Sequence, residues 1–573
     1  MILEAIDTES GKMARQVYQN VGGLRPGRSV FDNSHTKLYD CDMGQLIPVC
    51  FMECVPGDVH SISIQNIVRF QPLVAPVLHD IYIRSFFWFV PTRLIMNHET
   101  MEENEDQGTW EDFITGGKDG NDSTPLPTWN KYQGDDGVYF PFNVNVTQKY
   151  SLWDYFGMPT NVTPTANSMP IAFNRRCYNL VYNEYIRDQN LQDPVPLDSV
   201  IVRNISWRKD RFTSALYDTQ RGDRPALPLQ GTGSALFNGL THETNLAVEN
   251  PGNLVMGINR NNPDYLNAFY HVDGITGQRH YPYHVNAGGD PPNIVHSLAT
   301  STPFSPVQAF KTWLNNNTVD FSNAATIDML DLRRLGQYQK YLERNMRVGA
   351  RYVEQVAGRF GVKVPDYRIQ RPEFIGGART PIIVSEVLQT SESSNTSKQG
   401  NLAGHGITAE SSRIGSYRVV EHGYIIGLSV VQPEAVYVQG IHRELQRRTK
   451  FDFLTPELVN LSEVAIKNSE LVVTGTLRDD EEFGFQGIYD EYRVRENMVC
   501  GDMRDTLDYW HLARRDYDAA NPPNLNVNFV RCQPSKRIFA VQNVPGIIVS
   551  YGNRIRSVRP LPIIAEPGLL DHH

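Results

Sequence analysis

The chain has 573 residues, 40% of them hydrophobic and 21% charged. These values allow a large buried core and exclude disorder over most of the length. A net charge of −10 excludes a polybasic nucleic-acid binder, so any contact with nucleic acid has to come from a local patch.

Residues 1–40 read as an extended arm, because GGLRPGRS supplies Gly, Pro and Arg without an apolar period. The opening MILEAIDTESGKMARQ lacks the charged-then-apolar pattern of a signal peptide. The six cysteines are Cys41, Cys50, Cys54, Cys177, Cys500 and Cys532. So few in this length read as reduced thiols of a chain made in a cytoplasm. Asn145-Val-Thr147 and Asn161-Val-Thr163 are then chance matches to a glycosylation signal. Cys50 and Cys54, with Cys41 and His60 nearby, invite a metal reading. However, LIPVCFMECV alternates like a strand and puts Cys50, Met52 and Cys54 on one face. Free cysteine packs as a small hydrophobe, so neither a metal nor a cofactor is expected.

Pro56-Gly57-Asp58 makes a turn into SISIQNIVRF. There Ile62, Ile64, Val68 and Phe70 share one parity and Ser61, Ser63, Gln65 and Arg69 the other, the period of a half-buried strand. In DIYIRSFFWFV both parities become apolar after Ser85, which predicts a strand end covered on both faces and stopped by Pro91. Residues 95–170 are acidic and turn-rich and read as surface loop. From 221 to 325 the composition shifts to Asn, Gly, Pro, His and Thr, which reads as an outward insertion.

A helical stretch follows near 327–360. At 100° per residue, Leu335, Tyr338, Leu342, Met346, Val353, Val356 and Phe360 fall on one side. Arg333, Lys340, Arg344, Arg347 and Arg351 fall on the other, either as an ordinary solvated face or as a stripe toward phosphates or an acidic neighbour. Gly349 and Gly358 are possible breaks. Residues 391–400 are a polar loop. Strands are expected again in HGYIIGLSVV, GIYDEYRVREN and PGIIVSYGN. The last of these leads into Arg554, Arg556 and Arg559, which with Tyr551 nearby form a second basic patch suited to single-stranded nucleic acid, or else a charged edge strand.

Catalytic signatures are missing. His98-Glu99 and His242-Glu243 lack the second histidine of a zinc-protease helix, Gly231-Thr-Gly233 lacks its third glycine, and neither a P-loop nor a G-x-S-x-G elbow occurs. Asp479–Glu482 reads as a solvated turn, and Arg221-Gly222-Asp223 as a chance match to an adhesion tripeptide. No apolar run reaches the length of a membrane span. The rival class is a glycan-binding or glycan-degrading β-sandwich, for which Trp110-Glu-Asp112 is the nearest local hint.

The order of several segments carries more weight than any one of them. They are Phe31-Asp-Asn-Ser-His-Thr36, Gly44-Gln-Leu-Ile-Pro48, Cys54-Val-Pro-Gly-Asp58, Phe89-Val-Pro-Thr-Arg-Leu94, Trp207-Arg-Lys-Asp-Arg-Phe-Thr-Ser214, Arg359-Phe-Gly-Val362, Gln370-Arg-Pro-Glu-Phe-Ile-Gly-Gly377, Tyr489-Asp-Glu-Tyr492 and Leu507-Asp-Tyr-Trp-His-Leu512. In this order the chain resembles the major capsid proteins of the Microviridae, closest to the gokushovirus-like branch. Cys54 and Thr92 depart from the residues usual in that family. The resemblance implies an eight-stranded antiparallel jelly roll, a viral β-sandwich with long loop insertions and a few helices. It also implies self-assembly into a T=1 icosahedral shell around circular single-stranded DNA. Partners then include sister subunits, the genome, an internal DNA-binding or pilot protein, and a host surface receptor met by a threefold protrusion, for which 221–325 is the candidate. The jelly-roll domain would cover 41–573, and the tentative DNA contacts are Arg554, Arg556 and Arg559, with the 333–351 stripe second.

Overall fold

The computed structural model describes residues 27–96, 109–115, 125–223, 225, 232–234, 254–256, 269–272, 279–280, 318–320, 329–388, 402–461, 463–515, 517–518 and 520–564. They fall into two compact units, one built from residues up to Arg221 and from Leu342 onward, the other from Gly222–Tyr341. In the second unit, the described strands pair 232–234 with 318–320, and 269–272 with both 254–256 and 279–280. The rest of the expected insertion at 221–325, the 391–400 loop and residues 1–26 of the expected arm lie outside the described residues.

The first unit rests on two antiparallel sheets. The strands of these two sheets are β1 (Ser29–Asp32), β2 (His35–Cys41), β3 (Ile47–Cys54), β4 (Val59–Phe70), β5 (Ile81–Pro91), β6 (Glu373–Pro381), β7 (Ile383–Leu388), β8 (Leu402–Arg418), β9 (Gly423–Pro433) and β10 (Ile547–Arg559). The six-stranded sheet runs β1-β10-β4-β8-β7, with β2 on the same edge of β10 as β1. The four-stranded sheet runs β6-β5-β9-β3. Residues 29–41, part of the expected arm, are thus paired into a sheet edge.

Two residues separate β1 from β2, and Ile382 alone separates β6 from β7, so the ten strands make eight passes of the chain. The passes lie in the order 1-8-3-6 in one sheet and 2-7-4-5 in the other, the fifth crossing between them. That is the double Greek key of a jelly roll.

Alternation decides what each strand buries. In β4 every even residue from His60 to Phe70 is buried and the odd ones are not. Ile62, Ile64, Phe87, Phe89, Ile425 and Tyr551 fill the space between the sheets. The other face of the four-stranded sheet is covered too. Trp88, Val90, Ile426 and Leu428 pack there against Phe173, Cys177, Tyr178 and Val181 of α1 (Phe173–Val181). Both parities of the FFWFV run are therefore apolar because Phe87 and Phe89 point to one core, Trp88 and Val90 to another. Strand β9 lies beside β5 and is buried along its whole length. Its glycines let the aromatic rings lie against the backbone. A Cβ at Gly427 would stand 2.6 Å from the Phe87 ring, and one at Gly423 2.5 Å from that of Phe89.

Three expectations need correction. GIYDEYRVREN is not a strand: only Glu482–Gln486 is extended, and the chain then turns through Tyr489 at φ +64°. Glu491 is buried there between Arg447 at 3.4 Å and Arg443 at 3.8 Å, so its charge is met by folding inward. Residues 95–170 are not all surface loop, since Trp129, Val146, Trp153 and Ala172 form a small buried core. The helical stretch is two helices, α2 (Met329–Val348) and α3 (Tyr352–Phe360), parted at Gly349 with φ +107°, one of the two breaks foreseen; what needs correction is its apolar stripe. Leu342 and Met346 are buried, whereas Tyr338 and Phe360 are exposed, so the apolar stripe is core only in part.

All six cysteines are free, and only Cys500 is exposed. Among the described residues no helix is long and apolar enough to cross a membrane.

Candidate nucleic-acid interface

The four-stranded sheet is covered on both faces, the six-stranded sheet on one. Among the described residues nothing covers its second face, which is lined by the odd residues of β4 and the even residues of β10. Hydrogen-bond register sorts this face into rows. At one end Ile548, Arg69, Ile407 and Ile383 lie side by side, and the next row holds Leu38, Ser550, Ile67 and Ala409. Leu38, on one edge strand, is 77% exposed and Ile383, on the other, 67%. A polar belt of Thr36, Gln65 and Ser411 follows. Further on stand Arg554, Ser63 and Arg413 in one row, Asp32, Arg556, Ser61 and Ser416 in the next, and Val30, Val558, Val59 and Arg418 in the last. The open face thus carries a mainly aliphatic end, a polar belt, and an arginine-rich end closed by a row of valines.

The predicted triplet is divided by the same alternation. Arg554 and Arg556 point to the open face and are exposed, and Arg554 Nε donates to Gln65 Oε1 at 3.0 Å. Arg559 has the opposite parity and turns inward, its Nε 3.4 Å from the buried carboxylate of Asp58. Tyr551 is fully buried and offers no stacking ring. Arg413 and Arg418 of β8 are exposed with Arg554 and Arg556, a grouping missed in the linear reading because it depends on strands over a hundred residues apart. Asp32 tempers the positive end: hydrogen bonds from Ser34, first from its side chain, hold the Asp32 carboxyl below its ordinary range, so it stays ionised.

The 333–351 stripe is also divided. Arg333 and Lys340 are exposed on the part of α2 that belongs to the second unit. In the first unit Arg344 donates to the Gly358 carbonyl at 2.9 Å, and Arg347 pairs with Glu463. Arg351, past the break at Gly349, donates to the Arg187 carbonyl at 2.9 Å and faces Glu354 at 3.7 Å.

Cys50 and Cys54 are buried, as expected of core residues. The turn after β3 nevertheless brings Cys54, Asp58 and His60 together, their ligand atoms within 4.8 Å of one another. The Asp58 charge faces Arg559, a cation where a metal would need its fourth donor. Burial pushes the Cys54 thiol up to about 12. The cluster is thus a buried ion pair with a neutral thiol beside it. Trp110-Glu-Asp112 forms no carbohydrate cleft either. Trp110 stacks on Phe113 at 5.4 Å, and Asp112 accepts from Thr109 N and Oγ1 as a helix cap.

The family model for the capsid protein (F protein) matches residues 19–569. The chain belongs to this phage capsid-protein family. It is 30% identical to capsid protein VP1 of Chlamydia phage 1, covering 95% of this chain and 96% of that one. It is 29% identical to capsid protein VP1 of Bdellovibrio phage phiMH2K over 96% and 97% of the two chains. To capsid protein VP1 of Spiroplasma virus 4 it is 26% identical over 95% of each. These are Microviridae phages, and the role of a capsid protein of this family is structural: it builds the virion. The glycan-degrading alternative has no support.

Proposed function

We propose that the chain assembles with copies of itself into a closed T=1 icosahedral shell around a circular single-stranded DNA genome. The observation that carries this reading beyond the family is the open face of the six-stranded sheet. Its aliphatic end gains from burial against a sister subunit, because exposed apolar area of this kind is stabilised when it leaves water. Its cationic end, Arg554 and Arg556 with Arg413 and Arg418, suits phosphate held through charge without base reading. Arg559 contributes by fixing the strand end on Asp58, and the 333–351 stripe is secondary. An internal DNA-binding or pilot protein and a host receptor met by the 221–325 insertion complete the partners.

The test is electron microscopy of the expressed full chain together with a nuclease-protection assay on particles from infected cells. Closed shells of icosahedral symmetry and protected circular single-stranded DNA are expected. A chain that stays solitary at every concentration and salt refutes the assembly reading, and shells that protect no DNA refute the genome reading.

A further inference from the structure

Beyond α1, on the covered side of the four-stranded sheet, lies a cleft of about 840 Å³ formed within the first unit. Strand β5 makes its floor, and residues 185–190, 205–209 and the α2–α3 junction make its walls. Eight cationic side chains line it against three carboxylates, in a chain whose net charge is −10. Lys209, Arg351 and Arg371 pair with those three carboxylates, and Arg208 and Arg347 with Glu434 and Glu463 beyond the lining, which leaves a net surplus of positive charge in which Arg84 and Arg187 face other cations. Arg84 is held below its ordinary range by burial first and then by Arg379 and Arg208. Arg187 is held down by burial and then by Arg351. A concave site with surplus positive charge focuses potential and draws anions.

The floor is aromatic. The Trp88 ring lies 5.6 Å from Tyr185, 5.7 Å from Phe374 and 5.8 Å from Phe86. Trp88 is only 3% exposed and lies at the bottom of this floor. Phe374 sits at the rim with about half its surface, 48%, open to water. The Arg371 guanidinium lies 4.7 Å from the centroid of the Tyr185 ring, a cation–π contact.

A fitting ligand has to bring negative charge to the cations and a flat face to Phe374. Inorganic phosphate brings only the first. Nucleotides of an unpaired strand bring both, whereas a duplex keeps its base faces stacked on one another. We propose that this cleft seats a short run of single-stranded DNA, its phosphates on Arg208, Arg351 and Lys363 and one base on the open face of Phe374. The assignment rests on the genome-enclosing reading and places a second DNA contact apart from Arg554 and Arg556.

The test measures binding of a short oligothymidylate to the full-length protein, followed by fluorescence anisotropy over a salt series. The variants are R208E/K363E and F374A, all at exposed positions, with circular dichroism to verify folding. R208E/K363E is expected to bind roughly tenfold more weakly with a shallower salt slope. F374A is expected to lose about tenfold with the slope unchanged, because stacking is not a counterion effect. Affinity unchanged in both variants overturns the proposal. Loss in the charge variant alone also overturns it, and leaves an acidic segment of a neighbouring copy as the occupant. Particles that protect no DNA refute the genome reading separately, whatever the cleft variants do.

Discussion

Asp198 is shared by two buried arginines. Arg175 Nη2 lies 2.9 Å from its Oδ1 and Arg176 Nη2 2.7 Å from its Oδ2. Burial opposes the charge of Asp198, but hydrogen bonds and the two guanidinium groups outweigh it and keep the carboxyl below its ordinary range. Removing that charge strands two cations in a dry site, so D198N is expected to cost about 3–5 kcal/mol in chemical denaturation. A loss near zero would show the arginines reaching water instead. His60 and His79 act in the opposite sense. Burial is the largest cause in each and holds the imidazole below its ordinary value of 6.5. Asp58 pulls His60 back upward and Arg559 pushes it down, while His79 Nε2 donates to the Glu434 carbonyl at 2.8 Å. The unfolded chain therefore takes up protons that the folded one refuses. Stability is whole above pH 6.5 and falls as pH drops through 6.5 toward the folded-state values. Thermal melts on both sides of that pH check this, and H79Q is expected to flatten the slope. None of these roles was legible in the linear sequence. A lone Asp198 or His60 acquires its chemistry from residues that only the fold supplies, as Arg559 shows by leaving its predicted patch for Asp58.

Among the elements, strands β4, β5, β9 and β10 were readable because their periodicity states directly how many faces are covered. The FFWFV run predicts two covers, and two cores meet it. The two glycines of β9 are the less visible half of the same fact: the register pairs Gly427 with Phe87 and Gly423 with Pro91, and the Phe89 ring reaches diagonally over Gly423. A methyl group at 427 would meet the Phe87 ring at 2.6 Å and Cys50 Cβ at 3.0 Å. G427A is therefore expected to cost about 1–3 kcal/mol by overpacking. F87A alone costs about 3–5 kcal/mol, and the double variant less than the sum, because the smaller ring site makes room for the methyl. Strict additivity in urea denaturation would mean that the two residues do not share this space. The mistaken strand in GIYDEYRVREN has the converse origin. Alternation of polar and apolar residues is common in turns too, and the buried Glu491 with its arginines, not periodicity, decides the local path. The break of the long helix was legible at Gly349, but not that Arg351 would turn to Arg187 beyond it.

At the scale of the whole molecule, the jelly-roll topology places a finished sheet face in water with aliphatic residues at one end and arginines at the other. A monomeric protein gains nothing from Leu38 at 77% exposure, whereas a subunit loses that exposure when a copy covers it. The order of segments in the chain announced the family, but this face could not be read before strands β2, β4, β7, β8 and β10 were paired. Its two ends make separable predictions. L38D leaves the isolated subunit's stability within about 0.5 kcal/mol, because the side chain touches water already. It lowers the yield of closed shells in velocity sedimentation, since a desolvated carboxylate then stands in a subunit contact. R554E/R556E has the reverse profile: shells of normal sedimentation form but package less DNA, and the deficit deepens as salt falls, because reversed charges repel phosphate more strongly at low ionic strength. If L38D shells form in normal yield, the aliphatic end does not face a sister subunit. If R554E/R556E shells protect a full complement of DNA at low salt, the genome is held elsewhere.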